Sequence, residues 1–144
     1  MRVLIQKTNK ASVSVKNKKI SSITNGLVVF VGFTVDDTKD KISWMAKKIV
    51  NLRIFEDDAN IMNRSLLDVS GSILSVSQFT LYADTSNGNR PSYKKSLEKE
   101  KAIILYKIFN EELRKYTKVE EGIFHEDMEV SINNVGPTTI CLER

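Results

Sequence analysis

The sequence predicts an α/β fold: a mixed β-sheet with two main helices packed on it. Three observations carry this reading. Short runs rich in Val, Ile and Ser, several of them alternating apolar with polar, recur at both ends and in the middle of the chain. Two longer segments, about 39–52 and 97–116, repeat apolar residues at helical spacing instead. One run, Leu27 to Phe33, is apolar throughout, as a central strand covered on both faces must be. Strands, helix, strands, helix, strands in this order give helices laid on a mixed sheet.

Val3-Leu4-Ile5-Gln6-Lys7 and Ala11-Ser12-Val13-Ser14-Val15 read as two strands, the second with Ala11, Val13 and Val15 on one face. Asn17-Lys18-Lys19 is a turn before a short strand at Ile20 to Ile23, and Asn25-Gly26 is a turn dipeptide introducing the Leu27 strand. Asp36, Asp37 and Thr38 offer N-cap chemistry for a helix from about Lys39 to Leu52, striped by Ile42, Met45, Ala46 and Ile49. Trp44 lies off that stripe, so it packs elsewhere or meets a partner chain. Arg53-Ile54-Phe55 reads as a short strand. Glu56-Asp57-Asp58-Ala59-Asn60 lacks the Gly and terminal Glu of a calcium loop and reads as a solvated turn.

Ser72 to Tyr82 reads as one strand, followed by a loop through Asn87-Gly88 to Arg90-Pro91. Lys94, Lys95, Lys99 and Lys101 then form a basic patch. It is either a solvated helix start or, with Arg90, a rim that contacts phosphates. The second helix, Leu97 to Tyr116, carries the stripe Ala102, Leu105, Tyr106, Phe109, Leu113 and Tyr116. Met128 to Ile132 alternates as a strand, Asn133 to Pro137 connects, and Thr138 to Leu142 closes the sheet. No repeat, low-complexity segment or linker divides the chain, so residues 1–144 read as one domain.

Composition excludes several function classes. Leu27 to Phe33 is much too short to cross a bilayer, and Gln6 and Lys7 interrupt the first apolar run too early for a secretion signal. A single cysteine, Cys141, permits no internal disulfide and fits a reducing, cytoplasmic setting; in a strand it reads as a packed thiol. The net charge of +4 suits a phosphate-rich partner without requiring one. With one histidine and one distant cysteine, no zinc set forms, and no Gly-rich phosphate cradle is present. That disfavours nucleotide hydrolysis and dinucleotide redox chemistry. The lone His125, flanked by Glu126 and Asp127, reads as an exposed loop residue.

The chemistry concentrates in Ser77-Gln78-Phe79-Thr80. Polar side chains there fall on both faces of a segment whose Ile, Leu, Val and Phe content marks it as buried. Such groups must be satisfied, by backbone in a sheet rim or by a polar ligand in a site.

That string, within Leu74 to Leu81, resembles the signature of the D-aminoacyl-tRNA deacylases, also called D-tyrosyl-tRNA deacylases. Asn134-Val135-Gly136-Pro137-Thr138-Thr139 resembles the same family's Gly-Pro motif. Ala11-Ser12-Val13, Leu52 to Asp57, Met62-Asn63, Arg90-Pro91-Ser92 and Asp127-Met128 support the likeness, which runs from Gln6 to the last strand. The resemblance implies a compact, barrel-like α/β fold built as a homodimer with its active sites at the subunit interface. It implies hydrolysis of the ester of D-aminoacyl-tRNA, a chirality proofreading step, without metal or organic cofactor. Ser77, Gln78, Phe79 and Thr80 would form the reaction pocket, with Phe124 and Met128 lining it. Arg90, Lys94 and Lys95 would touch the tRNA, whose aminoacylated 3′ end is the partner.

In the resembled family the Gly-Pro bond is cis and projects into the partner's pocket, whereas the plain reading of Gly136-Pro137 is a turn before the last strand. Carbonyls set beside the amino acid's α-carbon would leave no room for an L side chain, and discrimination would rest on exclusion. Glycine offers nothing to exclude, so glycyl-tRNA is expected as a second substrate. Val135 stands where the family has an acidic residue, Thr138 where it has valine, Lys7 where it has arginine, and His125 among small residues. Thr80 has two candidate roles, nucleophile or oxyanion donor. With no base in view the second is preferred, and one such donor is worth about 10²–10³ in rate. Two other functions stand beside this one: a non-catalytic tRNA-binding module, and editing of L-aminoacyl-tRNA on the same scaffold.

Overall fold

The framework is set by β1, Arg2–Val15, a strand long enough to hold three partners. In the computed structural model, which describes residues 1–144, β2 (Lys18–Ile23) and β3 (Gly26–Gly32) pair antiparallel with successive halves of β1. The last strand, β8 (Glu129–Glu143), runs antiparallel along the whole of β1. On the other side of β3 the sheet turns parallel, with β6 (Ser72–Ser77) and then β7 (Val119–Glu121). Ser21 Oγ of β2 donates to the Glu121 carbonyl of β7 at 2.8 Å, which draws the two ends together and nearly closes a barrel. A separate hairpin joins β4 (Phe55–Glu56) and β5 (Met62–Arg64).

Two segments expected as strand pairs are single strands. Around Thr8 the hydroxyl accepts from Lys10 N–H at 3.1 Å and lies within donating distance of the Lys10 and Asn133 carbonyls. That side chain bridges a bulge, so β1 continues through residues that look like a break. β8 bulges in register with it. Thr8 faces Asn134 and Gln6 faces Thr139, leaving Val135, Gly136, Pro137 and Thr138 opposite Lys7 alone. The Gly136–Pro137 peptide in this bulge is cis, and both residues are exposed.

Both helices cover one face of the sheet. α1 (Lys39–Asn51) starts at Thr38, whose side chain accepts from Lys41 N–H, and buries Ile42, Met45, Ala46, Ile49 and Val50. α2 (Lys99–Arg114) buries Tyr106, Phe109, Asn110 and Leu113, with Phe109 edge-on to Phe33. Side chains of that size contribute about 1.5–3 kcal/mol each when removed from water, which outweighs helix propensity here. No helix is long and apolar enough to cross a membrane.

The structure corrects four expectations. Ser72 to Tyr82 is not one strand: β6 stops at Ser77, and Phe79–Tyr82 forms a 3₁₀ turn. Arg53 and Ile54 lie outside the short strand, which begins at Phe55. Tyr116, placed on the buried stripe of the second helix, is exposed beyond its end. Cys141 is exposed rather than packed, because it falls on the outward face of β8, where exposure alternates residue by residue. Trp44 packs at the surface under the Arg144 guanidinium, 4.8 Å from its ring centre.

Candidate active site

The turn after β6 is made by where its backbone hydrogen bonds go. Gln78 N–H donates to the Val31 carbonyl at 2.7 Å, tying the chain to β3, and Leu81 N–H and Ala83 N–H then close onto Gln78 and Thr80. Phe79 and Thr80 open this helical turn, so their own N–H groups find no carbonyl within it. Gln78 Nε2 donates to Thr80 Oγ1 in a short contact. A hydroxyl that accepts there keeps its own hydrogen free to donate elsewhere.

Ser77, Gln78 and Phe79 open onto a cleft of about 550 Å³. Phe124 and Met128 line its other side, at the approach to β8. Five of the expected pocket residues are thus brought together from segments nearly 50 positions apart. Thr80 is not part of that lining; it is coupled to the cleft through the Gln78 amide. Phe79 is 56% exposed and meets Tyr93 edge-on at 5.1 Å, so its ring stands at the mouth rather than in the core.

The remaining expected residues lie apart. Gly136 and Pro137 do not enter this cleft within their own chain, and a β-carbon built on Gly136 would meet nothing within 4 Å. Arg90 sits on the exposed loop after Asp84. Lys94 and Lys95 border a second, neighbouring cleft. Asp84 braces that loop: its carboxylate accepts from Ser86 and pairs with Lys95 at 3.0 Å, and its backbone bridges Ser92. The Ser86 hydroxyl and then Lys95 hold the Asp84 carboxyl well below the usual carboxylate range.

Sequence reasoning missed three contributors. Gly32 lines the cleft with its α-carbon against the Gln78 carbonyl; a glycine closing an apolar strand is a signal of close backbone approach. Tyr106 carries the site from below. Its hydroxyl donates to the Ser75 carbonyl at 2.9 Å, a carbonyl that also accepts from Gly122 N–H, and its ring packs on Phe124 at 5.7 Å. Burial, only partly offset by that bond, raises the Tyr106 pKa. His125, exposed as expected, adopts a left-handed backbone (φ 67°) and joins Glu126 and Asp127 on the cleft rim. No group of three or more His, Cys, Asp or Glu is arranged to hold a metal ion.

Comparison with known proteins shows the family. The sequence pattern described as D-Tyr-tRNA(Tyr) deacylase matches residues 4–143. A D-aminoacyl-tRNA deacylase from Listeria monocytogenes serotype 4a (strain HCC23) is 55% identical over 144 residues, covering 99% of this chain and 95% of its own. One from Chlorobaculum tepidum is 50% identical over 145 residues, covering 99% and 97%. Among solved structures, the c-Myc DNA unwinding element binding protein superposes with a TM-score of 0.95 at 38% identity, covering 100% of this chain and 99% of its own. A probable eukaryotic D-amino acid tRNA deacylase, 18% identical with a TM-score of 0.84, shares the fold. A match from residue 4 to 143, with relatives at half identity or better along nearly the whole length, leaves one assignment: this chain belongs to the D-Tyr-tRNA(Tyr) deacylase family.

Proposed function

We propose that the cleft at Ser77–Thr80 hydrolyses the ester of D-aminoacyl-tRNA, releasing the D-amino acid and tRNA, as a single-domain cytoplasmic enzyme. The observation that carries the chemistry is the Gln78–Thr80 hydrogen bond at the head of the 3₁₀ turn. The ester carbonyl enters beside Phe79 and Thr80. Water adds to its carbon, the C=O electron pair moves onto oxygen, and the resulting oxyanion is held by the two free N–H groups and the Thr80 hydroxyl. Collapse expels the ribose oxygen, which takes the proton that the added water gives up. Thr80's only side-chain partner is an amide, which cannot take a proton, so Thr80 acts as a donor rather than a nucleophile. The terminal ribose 2′-hydroxyl is the group left to position the water.

Chirality is read by exclusion, in a homodimer. The exposed Gly136–Pro137 corner lies outside its own chain's cleft with open space around Gly136, which supports its seating in the cleft of a second copy. Seated there, its carbonyls crowd the side of the α-carbon that an L side chain would occupy, and leave D-amino acids and glycine free to react. Phe124 and Met128 wall the pocket. The test compares release of tyrosine from D-tyrosyl-tRNA and L-tyrosyl-tRNA at equal enzyme. Fast D and negligible L release is expected. Equal rates would remove the chiral screen, and no release from either would leave only a tRNA-binding module.

A further inference from the structure

Behind one wall of the candidate site lies a second cleft, of about 540 Å³. Five cationic side chains border it, Arg2, Lys41, Lys94, Lys95 and Arg144, against the carboxylates of Asp36 and Glu143. The linings of the two clefts adjoin along the chain at two places. Phe33 faces the first cleft and Thr34 the second; Ser96 faces the first and Lys95 the second. These two segments are stitched together, with Thr34 Oγ1 donating to the Lys95 carbonyl at 2.7 Å and Leu97 N–H to the Phe33 carbonyl at 2.9 Å. The 3₁₀ turn spans the same wall, opening at Phe79 on the catalytic side and ending at Tyr82 on the cationic side.

The cations differ in what they are free to do. Arg2 is engaged by Glu143 at 3.1 Å, by the Leu81 carbonyl and by the Tyr82 ring, and Lys95 by Asp84. Lys41 and Lys94 have no carboxylate partner. Tyr82, its pKa pushed up to about 12 chiefly by burial, keeps its proton at neutral pH. A concave surface with unpaired ammonium groups is one from which a polyanion displaces counterions.

We propose that this second cleft binds the phosphates of the single-stranded tRNA 3′ end, on the 5′ side of the nucleotide whose ester occupies the first cleft. The proposal rests on the deacylase reading of that first cleft. Lys41 and Lys94 border the second cleft, whereas the acidic Glu126 and Asp127 line the first.

The test titrates uncharged tRNA carrying its 3′ CCA end against wild type, Lys41→Glu and Lys94→Glu by fluorescence anisotropy, between 50 and 200 mM salt. Lys18→Glu, at the exposed start of β2, makes the same charge change elsewhere. Each cleft variant is expected to bind about tenfold more weakly at 50 mM, with the slope of log affinity against log salt reduced by about 1, while Lys18→Glu stays near wild type. Equal effects of all three substitutions would overturn the proposal, because net charge alone would explain them. Lys94 lies in a loop, so its variant decides the matter even where Lys41→Glu disturbs helix α1. Localised binding losses in the cleft variants, beside a wild type that releases no D-amino acid, would uphold the cleft and remove the deacylase reading instead.

Discussion

Gly32→Ala tests the placement of the site most sharply. A β-carbon added at Gly32 would stand 2.8 Å from the Gln78 carbonyl oxygen and 3.3 Å from Leu81 Cβ and Tyr82 Cδ2. Ordinary contact begins near 3.4 Å, so the 3₁₀ turn must retreat by roughly half an ångström. It cannot swing freely, because Gln78 N–H is held by Val31 at 2.7 Å, one residue before the substitution. Overpacking of this kind costs about 1–3 kcal/mol, or about 3–9 °C in Tm for a chain of this length. A 1 Å misplacement costs about 10² in rate, so a displacement half as large predicts a loss of about tenfold in single-turnover deacylation of D-tyrosyl-tRNA. A Gly32→Ala protein that keeps its rate within twofold would refute the claim that the turn beginning at Gln78 carries the chemistry.

Other outcomes follow from particular contacts. Tyr106→Phe removes the donor to the Ser75 carbonyl, which still accepts from Gly122 N–H, so a modest loss of about 1 kcal/mol is expected in denaturant unfolding. Glu56→Gln leaves the Lys7 ammonium, 3% exposed, without the negative charge that faces it at 2.6 Å. Because Glu56 is itself 44% exposed, the loss should be about 1–2 kcal/mol, below that of a sealed pair. The same bond lowers the Glu56 pKa, so its contribution is present above the usual carboxylate range and fades as pH falls through the depressed value. Tyr82 works in the opposite direction. Its folded pKa, near 12, exceeds the unfolded value near 10, so stability should fall as pH rises from 10 to 12, read by thermal melts alongside tyrosinate absorbance.

Much of this architecture was legible in the residues, and the failures have physical causes. The apolar run at Leu27 and the stripes of both helices are burial patterns, and burial is what the fold uses them for. The bulges at Thr8 and at Val135–Thr138 look like strand ends because their continuity depends on a side-chain hydroxyl and on a partner strand, neither visible in a local window. Phe79 and Leu81 extend the alternation of β6 convincingly, yet the Gln78 N–H bond to β3 turns the chain there. β7 was missed because three residues, two of them glutamate, carry no periodicity; its place is set by β6. In the candidate cleft, Ser77 to Phe79, Phe124 and Met128 come together as the resemblance leads one to expect. Gly32 and Tyr106 act through contacts across the barrel, which spacing along the chain does not reveal.

The cross-chain placement of the Gly136–Pro137 corner is best tested by mixing subunits. A Thr80→Ala chain has a native corner and a cleft slowed by about 10²–10³, whereas a Pro137→Ala chain has a native cleft and an altered corner. If each corner serves its partner's cleft, excess Thr80→Ala chain should suppress L-tyrosyl-tRNA hydrolysis by the Pro137→Ala chain while D-tyrosyl-tRNA hydrolysis persists. L-ester release that does not respond to the added chain, in a mixture shown to exchange subunits, would contradict the account.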